Sequence, residues 1–380
     1  MIVQRFLHWL ETAPNSSRAE AAAALARAML YADMPEKERE SAIAALTLLL
    51  DDPSTKVRHA MADALASHAN APRHLIMGLA RDQSDIAMQV LCRSPLFLDS
   101  ELAEVAANGD SVTLMAIACR QPLSNIVASA IIAEKNSPAC LALLQNTSIR
   151  LNAENMREIA NNLGEKPEIR EQLLKQPNLP ADIRQTLIAG LANALQQLVV
   201  AKSWLGEARA KKVVREARDK ATANLAADVP LEEIPALVEH LRDCQQLTAA
   251  FLLRAICSGN IPLFTAAIAN LSNIPEKRII AVLQQGRTAA FRAIYDRSTL
   301  PGSAIPAITA AVDIWRDEEE RMGAQTDIQQ QHRVMERIIE QYAASVEKPD
   351  AQLLTLLRRI AAETAREAAL ERAREIRTAA

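Results

Sequence analysis

The chain has 380 residues, enough for two ordinary domains or for one extended array. It is 49% hydrophobic but only 3% aromatic, a composition that favours helices because Ala, Leu, Arg and Glu are strong helix formers and β-branched runs are few. A formal net charge of −3 excludes a global basic field that would attract nucleic acid or an anionic membrane. We therefore expect an all-α protein.

Signals for export or membrane insertion are not apparent in the sequence. An opening helix is expected near residues 2–11, but polar residues interrupt it and no small-residue cleavage site follows. No stretch approaches the roughly 18 uninterrupted apolar residues that a membrane span needs. These features predict a cytoplasmic protein.

The five cysteines are widely spaced and form no C-x-x-C motif. Each lies among apolar residues of a predicted helix. We therefore expect buried free thiols in a reducing compartment, and neither disulfides nor metal ligands. The cysteines are Cys92, Cys119, Cys140, Cys244 and Cys257.

Two further helices are predicted between the opening helix and the first repeat motif. The first is alanine-rich, with Ser16 or Ser17 as its N-terminal cap and Tyr31 at its end. The second begins after Pro35, has acidic residues in its first turn and runs to Leu50.

Residues 51–65 carry the first repeat motif, an Asp-Asp-Pro turn followed by Val-Arg and small residues. Asp52 or Ser54 can cap the helix, and Pro53 fits its first turn. One apolar face is formed by Val57, Met61, Ala64 and Leu65. The motif resembles the second helix of HEAT repeats. In those repeats such an arginine often pairs with an aspartate of a neighbouring repeat, so the resemblance implies a structural role for Arg58.

A turn motif returns along the first half of the chain at a regular interval. The motif around Pro95 is answered at Pro122, and Pro177 follows Pro122 at close to twice the same interval. Short helices are predicted between the turns, at residues 100–107, 124–133, 152–162 and 181–194. Such short helices are unstable alone and must stack on their neighbours, as in helical-repeat arrays. The order of turn, helix and basic-x-Pro-Leu also resembles the leucine-rich-variant repeats.

The period breaks at residues 195–227, whose middle part is locally basic. Lys211, Arg215 and Arg218 fall at i, i+4 and i+7, one face of a helix, whereas an apolar face is expected from Trp204, Ala208, Ala217 and Ala221. The candidate partner-binding residues are Lys202, Arg209, Lys211, Lys212, Arg215 and Arg218. They could bind an acidic protein helix or nucleic acid. The alternative is a solvated face with intrahelical pairs such as Glu207–Lys211.

The period resumes in the second half, where Gly259 and Gly286 are separated by the same interval as Pro95 and Pro122. Both glycines follow strong helices, at the position where left-handed backbone ends a helix. Residues 247–275 resemble a bacterial family of unknown function, in which eroded HEAT-like repeats precede just such a helical segment. The resemblance covers about residues 45–316. It implies a fold but brings no activity and no site residues.

The tail, residues 317–380, has a different pattern. Ile328, Met335 and Tyr342 recur at heptad spacing, and a long Ala/Arg/Glu helix is predicted from Gln352 to about Arg377. We expect a helical hairpin that caps the array. A dimerising coiled coil is the alternative.

Motifs that would identify an enzyme are not found. The sequence has no Gly-rich phosphate loop and no H-E-x-x-H, and the spacing of His59, His68 and His74 does not place metal ligands on one helical face. HEAT-like DNA glycosylases share this scaffold but would need a basic concave surface, a positioned carboxylate and nearby aromatic side chains. Pairing of a cysteine with a histidine stays open.

The sequence thus predicts an all-α fold, an α-solenoid of HEAT-like helical hairpins with a C-terminal helical hairpin. The predicted domains are residues 1–200, 201–316 and 317–380. The predicted function is that of a non-catalytic, cytoplasmic protein-interaction scaffold or regulator, which binds an unidentified protein partner in the groove of the array. The alternatives are nucleic-acid binding through residues 202–220 and an enzyme with an unrecognised site. No cofactor, metal or membrane contact is expected, and a homodimer through the C-terminal helices is a further alternative.

Overall fold

The computed structural model describes residues 8–9, 12–322, 328–347 and 349–379. Across these residues the protein forms 21 α-helices and one 3₁₀ turn, and no strand, so the all-α prediction is confirmed. The chain divides into two compact units, the first ending at Leu179 and the second beginning at Pro180. No helix in the described ranges is both long and apolar enough to cross a membrane.

The described helices of the first unit are α1 (Asn15–Tyr31), α2 (Glu36–Leu49), α3 (Thr55–Leu65), α4 (Arg73–Leu79), α5 (Ser84–Arg93), α6 (Asp99–Asn108), α7 (Ser111–Ala118), α8 (Asn125–Ala133), α9 (Ser137–Gln145), α10 (Ala153–Leu163) and α11 (Pro167–Leu174). The odd-numbered helices form one row, in which α1, α3, α5, α7, α9 and α11 pack successively on one another. Helices α6, α8 and α10 pack on one another in the same successive way. Short helices therefore obtain their apolar contacts from the neighbouring hairpin.

The repeated turns are joined by side-chain hydrogen bonds to the preceding turn. Arg120, which is buried, donates from Nη2 to the carbonyl of Ser94 at 2.7 Å. Asn146 donates from Nδ2 to the carbonyl of Arg120 at 2.8 Å, and Gln176 donates from Nε2 to the carbonyl of Leu144 at 2.8 Å. These bonds give a physical reason for the regular interval between the turn motifs. Each turn supplies a donor to backbone carbonyls of the preceding turn that would otherwise lack a partner.

The structural role expected for Arg58 is confirmed. Its guanidinium donates to both carboxylate oxygens of Asp82, from Nε at 2.6 Å and from Nη2 at 2.9 Å. Burial acts to raise the pKa of Asp82, but the hydrogen bonds from Arg58 and the Gln83 amide outweigh it and hold the pKa below its usual range. A similar contact joins the next pair of repeats, where the Ser84 hydroxyl donates to the carboxylate of Asp110 at 2.9 Å.

The predicted cap of α1 is wrong. The helix begins at Asn15 with Pro14 in the cap position, so Ser16 and Ser17 lie within its first turn. The fixed φ of proline favours a helix start, and here it sets the boundary ahead of the two serines. The opening helix predicted at residues 2–11 lies outside the described residues except for His8 and Trp9.

The described elements of the second unit are α12 (Ala181–Ala201), α13 (Glu207–Ala227), α14 (Ile234–Asp243), α15 (Ala249–Cys257), α16 (Ile261–Ser272), α17 (Glu276–Gln284), α18 (Thr288–Asp296), a 3₁₀ turn (Gly302–Ala304), α19 (Ile305–Met322), α20 (Ile328–Ser345) and α21 (Ala351–Ala379). Helix α15 lies at the centre of this unit. All its residues from 251 to 257 are buried, and it packs against α13, α16, α19, α20 and α21.

The domain scheme with boundaries after residues 200 and 316 stays a prediction. The first boundary falls at the end of α12 and the second lies inside α19. In the tail, α20 and α21 pack against each other, and Met335 and Tyr342 are buried as their heptad spacing suggests. The side chain of Ile328 lies outside the described residues.

The left-handed backbone expected at the two repeated glycines is confirmed. Gly259 has φ +77° and Gly286 has φ +63°. A Cβ at Gly259 would lie 3.0 Å from the ring of Trp315, and a Cβ at Gly286 would lie 2.6 Å from Nη1 of Arg316. The two glycines thus let consecutive residues of α19 pack directly on the backbone.

The cysteine prediction is correct in part. All five are free thiols; Cys140 and Cys257 are buried and Cys92 is half-buried. Burial raises the pKa of Cys140 to about 11 and that of Cys257 to about 12. Cys119 and Cys244 are exposed, so the expectation of burial is wrong for these two. They follow the last residues of α7 and α14, where the chain leaves the packed helix.

Candidate functional site

Five of the six predicted partner-binding cations are exposed, at the end of α12 and along α13. They are Lys202, Arg209, Lys211, Lys212 and Arg215. None of the five forms an ion pair within the described part of the chain. The Glu207–Lys211 pair expected of a solvated face is therefore not formed. Arg218 differs, since it is half-buried and donates from Nη2 to Asp219 at 3.1 Å.

The inner face of α13 is not the one that the apolar spacing suggested. Trp204 is 69% exposed, and Ala208 and Ala217 are exposed as well. The buried face consists of Ala210, Val214, Asp219, Thr222, Ala223 and Ala226. Polar members of this face are held by hydrogen bonds, since Thr222 donates to Oε1 of Gln185 at 2.7 Å. A hydrophobicity pattern alone does not find a face of this kind.

A charged network lies beneath the basic helix, between α13, α15 and α21. Arg254 is only 4% exposed and donates from Nη1 to Glu363 at 2.7 Å. Lys220 lies 3.5 Å from the same carboxylate and 2.7 Å from Glu367. Burial acts to raise the pKa of Glu363, but Arg254 and Lys220 outweigh it and bring the pKa below its usual range. Lys220 and Arg254 are thus committed to internal contacts.

A polar cavity of about 570 Å³ adjoins this network. Its charged lining residues are Lys212, Arg215, Glu216, Asp219, Arg254 and Arg359. Burial raises the pKa of Asp219 despite the nearby guanidinium of Arg218. Arg254 also retains a buried Nη2 with no acceptor in the described residues. Arg254 and Arg359 are paired with Glu363 and Glu216, so Lys212 and Arg215 are the lining cations without an ion pair in the described residues.

Exposed apolar side chains also occur on the same pair of helices. On α12, Leu191, Leu195 and Leu198 are 49%, 49% and 46% exposed and fall at i, i+4 and i+7. Trp204, in the connection to α13, is exposed too. We use the name hairpin surface for these four apolar residues together with Lys202, Arg209, Lys211, Lys212 and Arg215. Exposed apolar side chains and exposed cations without ion pairs, on one helical hairpin, are typical of a protein-binding surface.

The three leucines were missed by sequence reasoning. Their spacing was visible, but a stripe at i, i+4 and i+7 looks the same whether it faces a core or the solvent. Only the structure shows that the buried residues of α12 end at Leu187. The break in the repeat period was the available signal, since a helix without a neighbouring repeat lacks the partner that would cover such a stripe.

The remaining candidate chemistry is limited. Within the described ranges, no three His, Cys, Asp or Glu side chains are arranged to hold a metal ion. His68 lies 2.7 Å from the Tyr31 hydroxyl, and His74 lies 3.0 Å from the hydroxyl of Thr47. His74 therefore joins two helices, and His68 joins the connection after α3 to the end of α1.

One cysteine does lie beside a histidine. Sγ of Cys244 is 3.8 Å from Nε2 of His240, which is itself 3.3 Å from Oγ1 of Thr186. Cys244 follows the C-terminal end of α14, which is the negative end of the helix dipole.

Fold and surface together define an all-α protein of short paired helices with an exposed apolar and cationic hairpin. The chain belongs to a bacterial protein family: the model of the family described as an uncharacterised protein conserved in bacteria (DUF2336) matches residues 86–348, well over half of the chain. No curated protein and no solved structure matches this chain. The family description assigns no activity, so function is argued from the site itself.

Proposed function

We propose that this protein is a non-catalytic, cytoplasmic scaffold or regulator built as a HEAT-like α-solenoid, and that it binds a protein partner through the hairpin surface. The successive packing of short helices in the first unit supports the solenoid arrangement. The ion pair of Arg58 with Asp82 and the turn-to-turn bonds of Arg120 support repeat stacking.

The hairpin surface is the observation that carries the proposal. Lys211, Lys212 and Arg215 are exposed and have no ion pair within the described residues, whereas Lys220 and Arg254 of the same unit are held in the internal network. These three cations are therefore not committed to an internal ion pair, although the charge of Arg215 also acts on the buried Asp219. Their charge is available to an acidic partner, which it would steer and orient.

The exposed leucines of α12 define the partner further. An apolar stripe of Leu191, Leu195 and Leu198 offers contact to the apolar face of a helix, while the cations offer contact to its carboxylates. We therefore propose that the bound segment is an acidic amphipathic helix. A nucleic acid would use the cations but would leave the three leucines exposed to water.

A binding titration tests this function directly. A labelled helical peptide with a leucine face and a glutamate face is titrated with the full chain, and fluorescence anisotropy is measured. Two comparison peptides have lysine in place of glutamate or alanine in place of leucine. Short single-stranded and duplex DNA serve as further probes. We expect saturable binding of the acidic amphipathic peptide and weaker binding of every other probe.

Two variants separate the contributions of charge and apolar contact. K211E/K212E/R215E should weaken binding roughly tenfold or more, since each exposed ion pair contributes up to about 1 kcal/mol and reversal adds repulsion. L191S/L195S/L198S should weaken binding at low and at high salt. The matched control is R278E/R292E/R297E, which reverses three exposed arginines of the same unit outside the hairpin surface. Equal loss in the control, or tighter binding of DNA than of the peptide, would refute the proposal.

The homodimer alternative stays a prediction about α21. Leu370 and Ile376, in its C-terminal half, are 49% and 66% exposed, whereas Leu357 and Ile360 in its first half are buried. Light scattering across a concentration series distinguishes a monomer from a dimer. Replacing Leu370 and Ile376 by serine should abolish a dimer formed through this face.

A further inference from the structure

The second unit contains a second cavity, remote in sequence from the hairpin surface. It has a volume of about 710 Å³ and is bounded by the start of α14 and by parts of α15, α16, α17 and α19. Its lining is mostly apolar and includes Ile256, Ile261, Ala266, Ile280, Leu283 and Val312. A cavity of this size and lining suits a small molecule with an apolar body.

Two buried donors without acceptors lie on the wall of this cavity. Trp315 is 5% exposed, and its indole Nε1 has no hydrogen-bond partner in the described residues. Arg316, the next residue of α19 and also part of the lining, has a buried Nη1 without an acceptor in the same part of the chain. A buried donor left unpaired is costly, so two adjacent ones at a cavity wall call for an acceptor from outside the chain.

The backbone is shaped to hold these two side chains in place. The ring of Trp315 packs on Gly259, and the guanidinium of Arg316 packs on Gly286. Both glycines have positive φ and occupy equivalent places in the sequence repeat. Successive repeats thus provide one glycine each, on which the consecutive residues Trp315 and Arg316 of α19 pack. This packing positions the indole Nε1 and the guanidinium Nη1 without a hydrogen bond to either atom.

The cationic character of one of the two free donors favours an anionic acceptor over a neutral one, because hydrogen bonds between charged groups are the stronger ones. Of the two carboxylates in the cavity lining, Glu276 accepts from the Thr265 hydroxyl at 2.7 Å, and Glu318 is paired with Arg337. Lys277, also in the lining, has no ion pair within the described part of the chain. Arg316 has its Nη2 3.1 Å from Asp313 and 4.0 Å from Asp317 but leaves Nη1 for another acceptor. The preference for an anion therefore rests on the free Nη1 donor of Arg316 and not on the net charge of the lining.

We propose that this cavity binds a small amphipathic molecule with an apolar body and one carboxylate, which accepts hydrogen bonds from Trp315 and Arg316. The apolar body lies against residues such as Ile280. This site does not depend on the proposed binding of a protein partner at the hairpin surface, and its test gives a separate answer.

The test uses Trp315 as the reporter. Trp9 and Trp204 are exposed, so the full chain with W9F/W204F retains Trp315 as its one indole. Dodecanoate and dodecanol, both kept below the concentration at which they aggregate, are titrated while Trp315 emission is recorded, and calorimetry on the same protein gives an independent affinity. We expect saturable binding of both, with dodecanoate about tenfold tighter because charge-assisted hydrogen bonds exceed neutral ones.

Variants then assign the two parts of the ligand. R316Q should remove the preference for dodecanoate but leave dodecanol binding unchanged, whereas R292Q, at an exposed arginine outside the cavity, should change neither. I280E should abolish binding of both ligands, and A281E, at the neighbouring half-buried position outside the lining, is its matched control. Circular dichroism confirms that each variant is folded. Absence of saturable binding by both methods, equal affinity for acid and alcohol, or unchanged binding in I280E would overturn the proposal.

Discussion

Replacing Gly259 by alanine tests how the repeat positions the central part of the second unit. The residue has φ +77°, and an added Cβ would lie 3.0 Å from the ring of Trp315. Gly190 offers the matched control, because it lies inside α12 and an added Cβ would meet nothing within 4 Å. The same chemical change should therefore have opposite signs at the two positions.

The expected change in the free energy of unfolding is the sum of three contributions at Gly259. Left-handed backbone at a non-glycine residue costs about 1.5 kcal/mol. Moving the packed indole of Trp315 costs about 1 kcal/mol more. The reduced freedom of the unfolded chain returns about 0.5 kcal/mol. The Gly259→Ala change should thus lower the free energy of unfolding by about 2 kcal/mol, whereas Gly190→Ala should raise it by about 0.5–1 kcal/mol.

Urea denaturation followed by Trp315 emission in the W9F/W204F background measures both changes. Far-ultraviolet circular dichroism in the same samples reports the whole chain, since the two compact units need not unfold together. A Gly259→Ala variant as stable as its parent would show that Trp315 does not pack on this glycine. A destabilised Gly190→Ala variant would likewise contradict the assignment of open space around α12.

Three further predictions concern the ion pairs. Arg58→Ala should destabilise the first unit by about 2 kcal/mol in urea denaturation, because it leaves the carboxylate of Asp82 without its bidentate partner, while Arg81→Ala at an exposed position should have little effect. Arg254→Met should destabilise the second unit by about 3 kcal/mol, and a double-mutant cycle with E363Q should show strong coupling. Asp219 has a raised folded pKa, so its ionised form opposes folding above that pKa and protonation relieves the opposition as pH falls. Asp219→Asn should therefore be more stable than the parent at neutral pH, and the difference in unfolding free energy should shrink on acidification; an unchanged difference across the pH range would contradict this.

Local chemistry made the repeats of the first unit readable from sequence. Helix α8 begins at Asn125 after Ser124, whose side chain accepts from the Val127 amide, close to the predicted start. Left-handed backbone at Gly259 was foreseeable for the same reason, since glycine after a strong helix favours it. The pairing of Arg58 followed from a family resemblance and could not have been obtained from spacing alone.

The second unit was less predictable because its important contacts join segments far apart in sequence. Arg254 and Glu363 are separated by 109 residues, and nothing local marks either one as the partner of the other. Helix α15 contains Arg254 among apolar residues, and an arginine normally indicates a solvent-exposed position. The sequence therefore did not show that residues 251–257 are all buried. The exposure of the leucines of α12 could not be predicted either. It depends on the absence of a neighbouring helix on that side, which the local sequence does not indicate.

The most direct test of the central claim is quantitative capture of partners from a lysate of the bacterium that carries this protein, with and without nuclease treatment. The bait is the full chain, compared with K211E/K212E/R215E and with the charge-matched R278E/R292E/R297E. The account predicts a discrete protein, with an acidic amphipathic segment, that is captured by the parent and by the control but is lost from the hairpin-surface variant. Equal capture by all three baits, or recovery of nucleic acid alone in samples without nuclease, would contradict it.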